Sequence, residues 1–201
     1  MPSHIRLIPE HVRWLPNCTL TEWMPLTTPD AAPPDPFTGP DPAERTSLRF
    51  YYRNRRPTRL GHWNSQFFCW LARIGLMPRF VVALQVRDRV SGRMRQDAVV
   101  VSTVGGQQYI VSMFGTISDW VQNLAASNGE AVICNGGSTP VRLVLVPPEE
   151  RAPFLQEFVR IASSGRKHFP LAVGASLADF AAIAPQFPVF RIERSTPARL
   201  Q

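Results

Sequence analysis

Four arginines crowd one short stretch of the chain: Arg87, Arg89, Arg93 and Arg95, with Ser91 and Gly92 between the two pairs. Residues two apart lie on one face of a strand, so if the stretch folds back on itself each pair projects to a common side. Guanidinium groups held so close repel one another, and an anion among them would relieve that repulsion. An arginine fork grips phosphate or carboxylate through paired hydrogen bonds, which lysine cannot do. Ser91 would add a hydroxyl, and Gly92 would let the backbone approach a phosphate. The pattern admits two readings, an anion site or a solvated basic hairpin tip. A second segment, Ser112-Met113-Phe114-Gly115 followed by Asp119-Trp120-Val121-Gln122-Asn123-Leu124, reads as a strand end, a turn and a helix start. Free amides at a helix N-terminus suit anions and flat heteroaromatic ligands. Core packing accounts for Trp120 and Leu124 equally well.

These residues need elements to hold them. Phe80 to Arg87 and Arg93 to Thr103 read as strands joined by a turn at Asp88 to Gly92. Gly105-Gly106 turns the chain into a third strand, Gln107 to Met113. A helix from Ile117 to Ser127, capped by Thr116 or Ser118, comes next. The segments Glu130 to Asn135 and Thr139 to Val146 form another hairpin around Gly136-Gly137. Pro147-Pro148 opens a helix that runs to Ala162, a short helix spans Leu177 to Ala184, and Phe187 to Glu193 is a last strand. Strands linked by hairpins, with helices inserted between them, predict an antiparallel sheet, and six strands of this size close into a barrel. Ahead of the strands, Trp63, Phe67, Trp70, Leu71 and Ile74 recur at helical spacing over residues 61–75. The periodicity predicts a core-facing helix; the alternative is an aromatic face that roofs a ligand pocket or touches a membrane.

Residues 1–45 hold half of the prolines and form a predicted N-terminal arm, ahead of a domain over 46–201. Proline lacks an amide donor and restricts its predecessor, so the arm cannot enter a sheet interior. Its Ile5, Leu7, Ile8, Val12, Trp14, Leu15, Trp23 and Met24 call for a surface to cover, on the domain or on a second subunit.

The 201 residues carry a net charge of +7, with Lys167 the only lysine. Arginine-rich composition has two explanations, G- and C-rich codon usage or anion recognition. Cys18, Cys69 and Cys134 are odd in number and widely spaced, which argues against a disulfide framework or a zinc site. His4, His11 and His168 show no metal-ligand spacing. No basic segment leads into an apolar run at the N-terminus, and the longest apolar stretch, 67–77, is interrupted by Arg73. A cytoplasmic protein is expected, with peripheral contact at the inner membrane as an option. Nucleic-acid binding requires basic and aromatic residues interleaved on one face. Residues 49–63 partly meet that pattern, but they read better as a solvated lead-in to the helix, so no nucleic-acid partner is expected.

In chain order, Arg89 to Arg95 (Arg-Val-Ser-Gly-Arg-Met-Arg), a valine strand, Gly105-Gly106, Tyr109 to Gly115, Asp119 to Leu124, Pro147 to Arg151 and Phe187 to Ile192 resemble the deazaflavin-dependent nitroreductase family. That family belongs to the flavin/deazaflavin oxidoreductase superfamily. The resemblance covers about residues 60–193 and leaves the arm unexplained. It implies a mainly β, α+β fold, an antiparallel split β-barrel of the FMN-binding-like kind, with a deazaflavin coenzyme of the F-420 type as hydride donor and FMN as second choice. It implies that Arg87, Arg89, Ser91, Gly92, Arg93 and Arg95 match the loop around the coenzyme's acidic tail. Ser112, Met113, Phe114 and Gly115 match the segment beside the ring, and Trp120 and Asn123 the helix near the tail. The substrate would be an apolar unsaturated compound, a quinone, nitroaromatic or enone, with Trp63, Phe67 and Trp70 lining its pocket. A homodimer is a further option.

The chain departs from the family pattern at Asp88, where many members carry glycine, and at Met113, where many carry lysine. The first adds a negative charge beside the proposed anion site and the second removes a cation. They motivate an alternative: a specialised biosynthetic enzyme on the same barrel that does not use the deazaflavin, or a flavin-binding relative. The sequence names no proton donor; Tyr51, Tyr52, His62 and Tyr109 are the candidates, each with a structural role as its competing explanation.

Overall fold

A computed structural model describes residues 50–53 and 56–195, with the side chains of 52 and 53 and of 56 set aside. The predicted arm and Cys18 lie outside the described residues. Two short strands, β1 (Tyr52–Arg53) and β2 (Arg56–Pro57), pair antiparallel ahead of helix α1 (Arg59–Arg73). Then follow β3 (Val81–Arg87), β4 (Met94–Val104), β5 (Gln107–Val111), α2 (Asp119–Ala126), β6 (Glu130–Cys134) and β7 (Ser138–Leu145). Helices α3 (Ala152–Ile161) and α4 (Leu177–Ile183) precede the last strand, β8 (Val189–Arg194). Strands β3 to β8 close into an antiparallel barrel in the order β3-β4-β5-β8-β7-β6, with β6 pairing back to β3. The fold is α+β, a six-stranded antiparallel barrel of the split-barrel kind with flanking helices.

Alternation along the strands builds the interior. Val82, Leu84 and Val86 of β3 and Val99 and Val101 of β4 point inward, where they meet Ile110, Val141, Leu143 and Phe190. Val121 and Leu124 of α2 join the same cluster, so this helix packs against the barrel core. A second core lies outside the barrel wall, where Leu155, Phe158 and Val159 of α3 meet Phe180 of α4 and Phe187.

Element ends differ from the sequence expectation where proline or a side-chain cap decides. The single helix expected after Pro147 is a 3-10 turn, Pro148–Glu150, followed by α3. Pro153 has no amide and sits comfortably only in the first turn of a new helix, so the chain restarts there. The last strand begins at Val189 because Pro188 has no amide to donate to a ladder; its carbonyl accepts from Ser112 N instead. Helix α1 starts two residues early because the Thr58 hydroxyl accepts from Gly61 N at 3.1 Å.

The larger correction concerns which side of α1 is buried. The spacing of Trp63, Phe67, Trp70 and Ile74 predicted a core-facing stripe, yet Trp63 is 73% exposed and Trp70 55%. The buried side is the small-residue stripe: Gly61, Cys69 and Ala72 are buried, and Cys69 and Ala72 pack against Ala83 and Cys134. Small residues on both surfaces let the helix sit close to the wall, and Gly136 N reaches Ala72 O at 3.0 Å. Aromatic side chains on that face would hold the two apart.

Candidate functional site

The β3–β4 hairpin carries the arginines. Register pairs Arg87 with Met94 and Val86 with Arg95, so Arg87 and Arg95 lie on opposite faces. The connecting loop is closed by Asp88 N donating to Arg93 O at 2.8 Å and Gly92 N donating to Asp88 O at 2.9 Å. The Asp88 carboxylate then takes the place anticipated for an external anion. It accepts from Ser91 N at 2.7 Å, from the Ser91 hydroxyl at 2.6 Å, and pairs with Arg95 Nε at 3.0 Å. Ser91's hydrogen bonds, with the nearby Arg95 charge adding to them, hold the Asp88 carboxyl down at about 2. The crowding of positive charge is thus relieved from inside the chain.

Arg89 is committed to α2. Its backbone N and Nη1 both donate to Asn123 Oδ1, at 3.1 and 2.8 Å, and Nη2 lies 3.8 Å from Asp119 Oδ1. Asn123 is buried on α2, so this contact fixes the hairpin against the helix. Arg87 Nη1 donates to Gly92 O at 2.9 Å, and Arg93 is exposed at the tip.

Ser112, Phe114 and Gly115 are buried, and Met113 packs against the second core. The Ser112 hydroxyl donates to Gly115 O at 2.8 Å and shares a hydrogen bond with the Ser118 hydroxyl at 2.9 Å. Ser118 is the N-cap of α2, as one of the two expected candidates, but its side chain makes no cap hydrogen bond. Two buried hydroxyls satisfy each other, and the first turn of α2 loses a cap as a result. Phe114 stands edge-on to His168 at 4.7 Å, and Trp120 stands edge-on to Phe190 at 5.3 Å.

A cleft of about 370 Å³ opens beside the hairpin, lined by Arg87, Asp88, Arg89, Gly92, Ala126, Ser127, Asn128 and Glu130. The structure therefore brings Arg87, Arg89 and Gly92 to one cleft, with Asn123 behind Arg89. Ser112 to Gly115 and Trp120 do not line it, and the helix end it meets is the C-terminal end of α2. A larger cleft of about 560 Å³, lined by Thr103, Val104, Gln156, Glu157, Arg160 and Phe180 among others, shares no residue with the hairpin. There Arg160 donates to both Glu157 carboxylate oxygens, at 2.7 and 2.6 Å, which leaves it little to offer a ligand. Trp63, Phe67 and Trp70 line neither cleft.

Of the proton-donor candidates, Tyr109 is buried and stacks on Phe154 at 3.9 Å, while His62 is exposed on α1. A group the sequence reading passed over is Asp97, inside the valine strand and paired across the sheet with Leu84. Burial, with Asp119 nearby, pushes its carboxyl up, against the opposing pull of His62 and Arg95. An aspartate among valines was the available signal.

The Asp88 arrangement has a pH signature. Its folded value of about 2 lies below the ordinary 3.8, so the carboxylate stabilises the hairpin fully above about pH 4. That contribution fades as pH falls toward 2. Melting temperatures of the wild type and Asp88→Asn should differ at pH 7, converge between pH 4 and pH 2, and coincide below. A gap that persists unchanged to pH 2 would assign the effect to packing.

No family model matches this sequence, and no curated protein does. Among solved structures, a protein of unknown function from Agrobacterium tumefaciens is 13% identical with a TM-score of 0.45, covering 64% of this chain. The chain spans about half of that protein's length, 54%. A reductase dependent on reduced F-420 is 19% identical with a TM-score of 0.39, over 58% of this chain and 96% of its own. The haem storage protein HutZ of Vibrio cholerae is 12% identical with a TM-score of 0.39, over 59% of this chain and 83% of its own. The site is therefore judged on its own residues.

Proposed function

We propose that this chain is an oxidoreductase that binds a deazaflavin coenzyme of the F-420 type through the β3–β4 hairpin and reduces an apolar unsaturated substrate, a quinone, nitroaromatic or enone. The observation that supports this best is the cleft lined by Arg87 and Arg89, with Arg89 braced by Asn123, and Arg93 exposed on the same hairpin. Those three arginines suit an acidic tail; Ser91 and Arg95 are already engaged by Asp88. When bound, the deazaflavin supplies the hydride. The protein's share is to hold the tail, orient the ring and keep water from the reacting carbon. The barrel is rigid enough for that task, since β3 and β4 are pinned on one side by α1 and on the other by the Arg89–Asn123 contact.

A second reading has its own observation. Asp88 occupies the centre of the hairpin and Glu130 adds a carboxylate to the cleft, so the site is less positive than its arginine count suggests. This favours a barrel enzyme that works without the deazaflavin. A fluorescence titration of the full chain with the oxidised coenzyme separates the two, with FMN as the comparison. Saturable binding at or below tens of micromolar, with coenzyme-dependent loss of a quinone, is the expected result. Activity in coenzyme-free protein, with no binding in that range, would establish the second reading.

A further inference from the structure

Helix α1 presents a continuous apolar ridge to solvent. Leu60, Trp63, Phe67, Trp70 and Ile74 recur at three- and four-residue spacing and form one stripe along the helix. All five are exposed, and Leu76 and Phe80 extend the apolar surface past the helix end. The rings are ordered against one another: Trp63 and Phe67 stack with centroids 6.5 Å apart, and Phe67 and Trp70 at 6.2 Å. Burial of Cys69 and Ala72 against the barrel wall holds the opposite side of the helix, so the ridge cannot turn inward without unseating α1. Contiguous apolar surface of this kind marks a contact with a membrane or another protein.

Charge selects the occupant. Arg59 and Arg73 are exposed and lie along one edge of the stripe, with His62 and Gln66 between them. Arg79 is exposed in the segment after the helix. None of these three arginines makes an ion pair among the described residues. From Pro57 to Arg87 the sequence contains no aspartate or glutamate. Of the barrel strands packed beneath α1, β3 carries no acidic residue, and on β4 Asp97 shares the inward face with Val99 and Val101. The ridge is therefore apolar with a cationic margin, which calls for an apolar partner with a negative surface. A second copy of the chain does not supply one. Both ends of the stripe are cationic, so two α1 helices would set arginine against arginine whether they paired parallel or antiparallel.

We infer that α1 docks the protein on an anionic lipid bilayer, lying flat with its apolar stripe in the boundary between headgroups and acyl chains. A helix with an apolar face and a cationic margin takes that position because each side then meets its own kind of environment. Trp63 and Trp70 suit the boundary, since an indole ring is apolar while its N–H finds an acceptor at headgroup level. Arg59 and Arg73 can lay their stems along the stripe and bring their guanidinium groups to lipid phosphates. The 15 residues of α1 span about 22 Å, enough to lie in the interface plane and too short to cross a hydrocarbon core of about 30 Å. The ridge is already displayed, so docking asks no rearrangement of the barrel. This inference is independent of what the barrel binds.

Co-sedimentation of the full chain with lipid vesicles tests it. Vesicles of equal parts phosphatidylglycerol and phosphatidylcholine should carry the wild type down, and pure phosphatidylcholine vesicles should carry far less. Trp63→Gln/Trp70→Gln should weaken binding by about tenfold or more, because each change removes a large apolar surface from the boundary. Arg59→Gln/Arg73→Gln should weaken it by about 20-fold, at about fivefold per arginine. As a control, Arg166→Gln/Lys167→Gln removes the same charge from the turn after α3 and should leave binding within about threefold, since charges away from the lipid are screened. All of these side chains are exposed, and melting within about 2 °C of the wild type reports an intact barrel. No sedimentation of the wild type, equal losses in the control and the arginine variant, or unchanged binding by the tryptophan variant would overturn the inference. Wild-type dimerisation in sedimentation velocity that the tryptophan variant abolishes would assign the ridge to a second copy and overturn it as well.

Discussion

Replacing Arg87 and Arg93 together with alanine should weaken binding of the deazaflavin coenzyme by about 100-fold. A charge-assisted hydrogen bond is worth about 1.5–3 kcal/mol, and exposure places these two near the lower limit. About 1.4 kcal/mol corresponds to a factor of ten in affinity, so two such contacts give about two orders of magnitude. Both side chains are exposed, and among the described residues the Arg87 side chain makes one hydrogen bond, to Gly92 O. The variant should therefore melt within about 2 °C of the wild type. A titration at two ionic strengths provides the check, because the lost contacts are electrostatic and the wild-type affinity should fall more steeply with salt. Asp88→Asn should act in the opposite direction on binding, since it releases Ser91 and Arg95 from an internal carboxylate. If the double variant binds within about threefold of the wild type, the hairpin does not hold the tail and the assignment moves to the deazaflavin-free reading.

The second large effect is on stability. Arg151 is 4% exposed between the end of β7 and α3. Its Nε donates to Val146 O at 2.8 Å and its Nη1 to Ala184 O at 3.1 Å. Burial pushes the guanidinium down to about 10, with Glu149 acting against the shift, so the group stays charged at neutral pH. Among the described residues its hydrogen-bond partners are backbone carbonyls. Arg151→Met should cost about 2–4 kcal/mol, because the buried Val146 carbonyl loses its donor at about 1–3 kcal/mol, the Ala184 carbonyl keeps only the bond from Phe187 N at 3.3 Å, and the side chain's packing is only partly replaced. Arg151→Lys should fall between, since an ammonium is a point donor that cannot span two carbonyls on different segments. Urea unfolding decides the matter: the midpoint should drop with the slope unchanged. A loss below about 1 kcal/mol for Arg151→Met would mean that water replaces both contacts and that the arginine does not tie α3 to the barrel.

The hairpins were legible because their signals are local. Alternating valines in β3 and β4, paired glycines at 105–106, and prolines at 147–148 each constrain the backbone through their own geometry. Alternation also places Val82, Leu84, Val99 and Val101 on one face, and from there an antiparallel barrel follows. The site was legible only as an inventory. The four arginines and Ser91 could be named, but the counterion could not, because Asp88 binds residues three and seven positions away through a loop whose shape the letters do not specify. Ser118 illustrates the same limit: position predicted a helix cap, and the neighbouring hydroxyl of Ser112 took the side chain instead.

Helix α1 separates the two kinds of information most clearly. Its residues carry two stripes at helical spacing, one of small side chains at 61, 65, 69 and 72, the other of large apolar ones, Trp63, Phe67, Trp70 and Ile74. Periodicity alone determined that a helix forms and that its sides differ. Which stripe faces inward was decided by the barrel wall, where Ala83 and Cys134 admit only a close approach. Local geometry acts between neighbours in sequence and is written in the chain; burial depends on surfaces that exist only once distant strands have met.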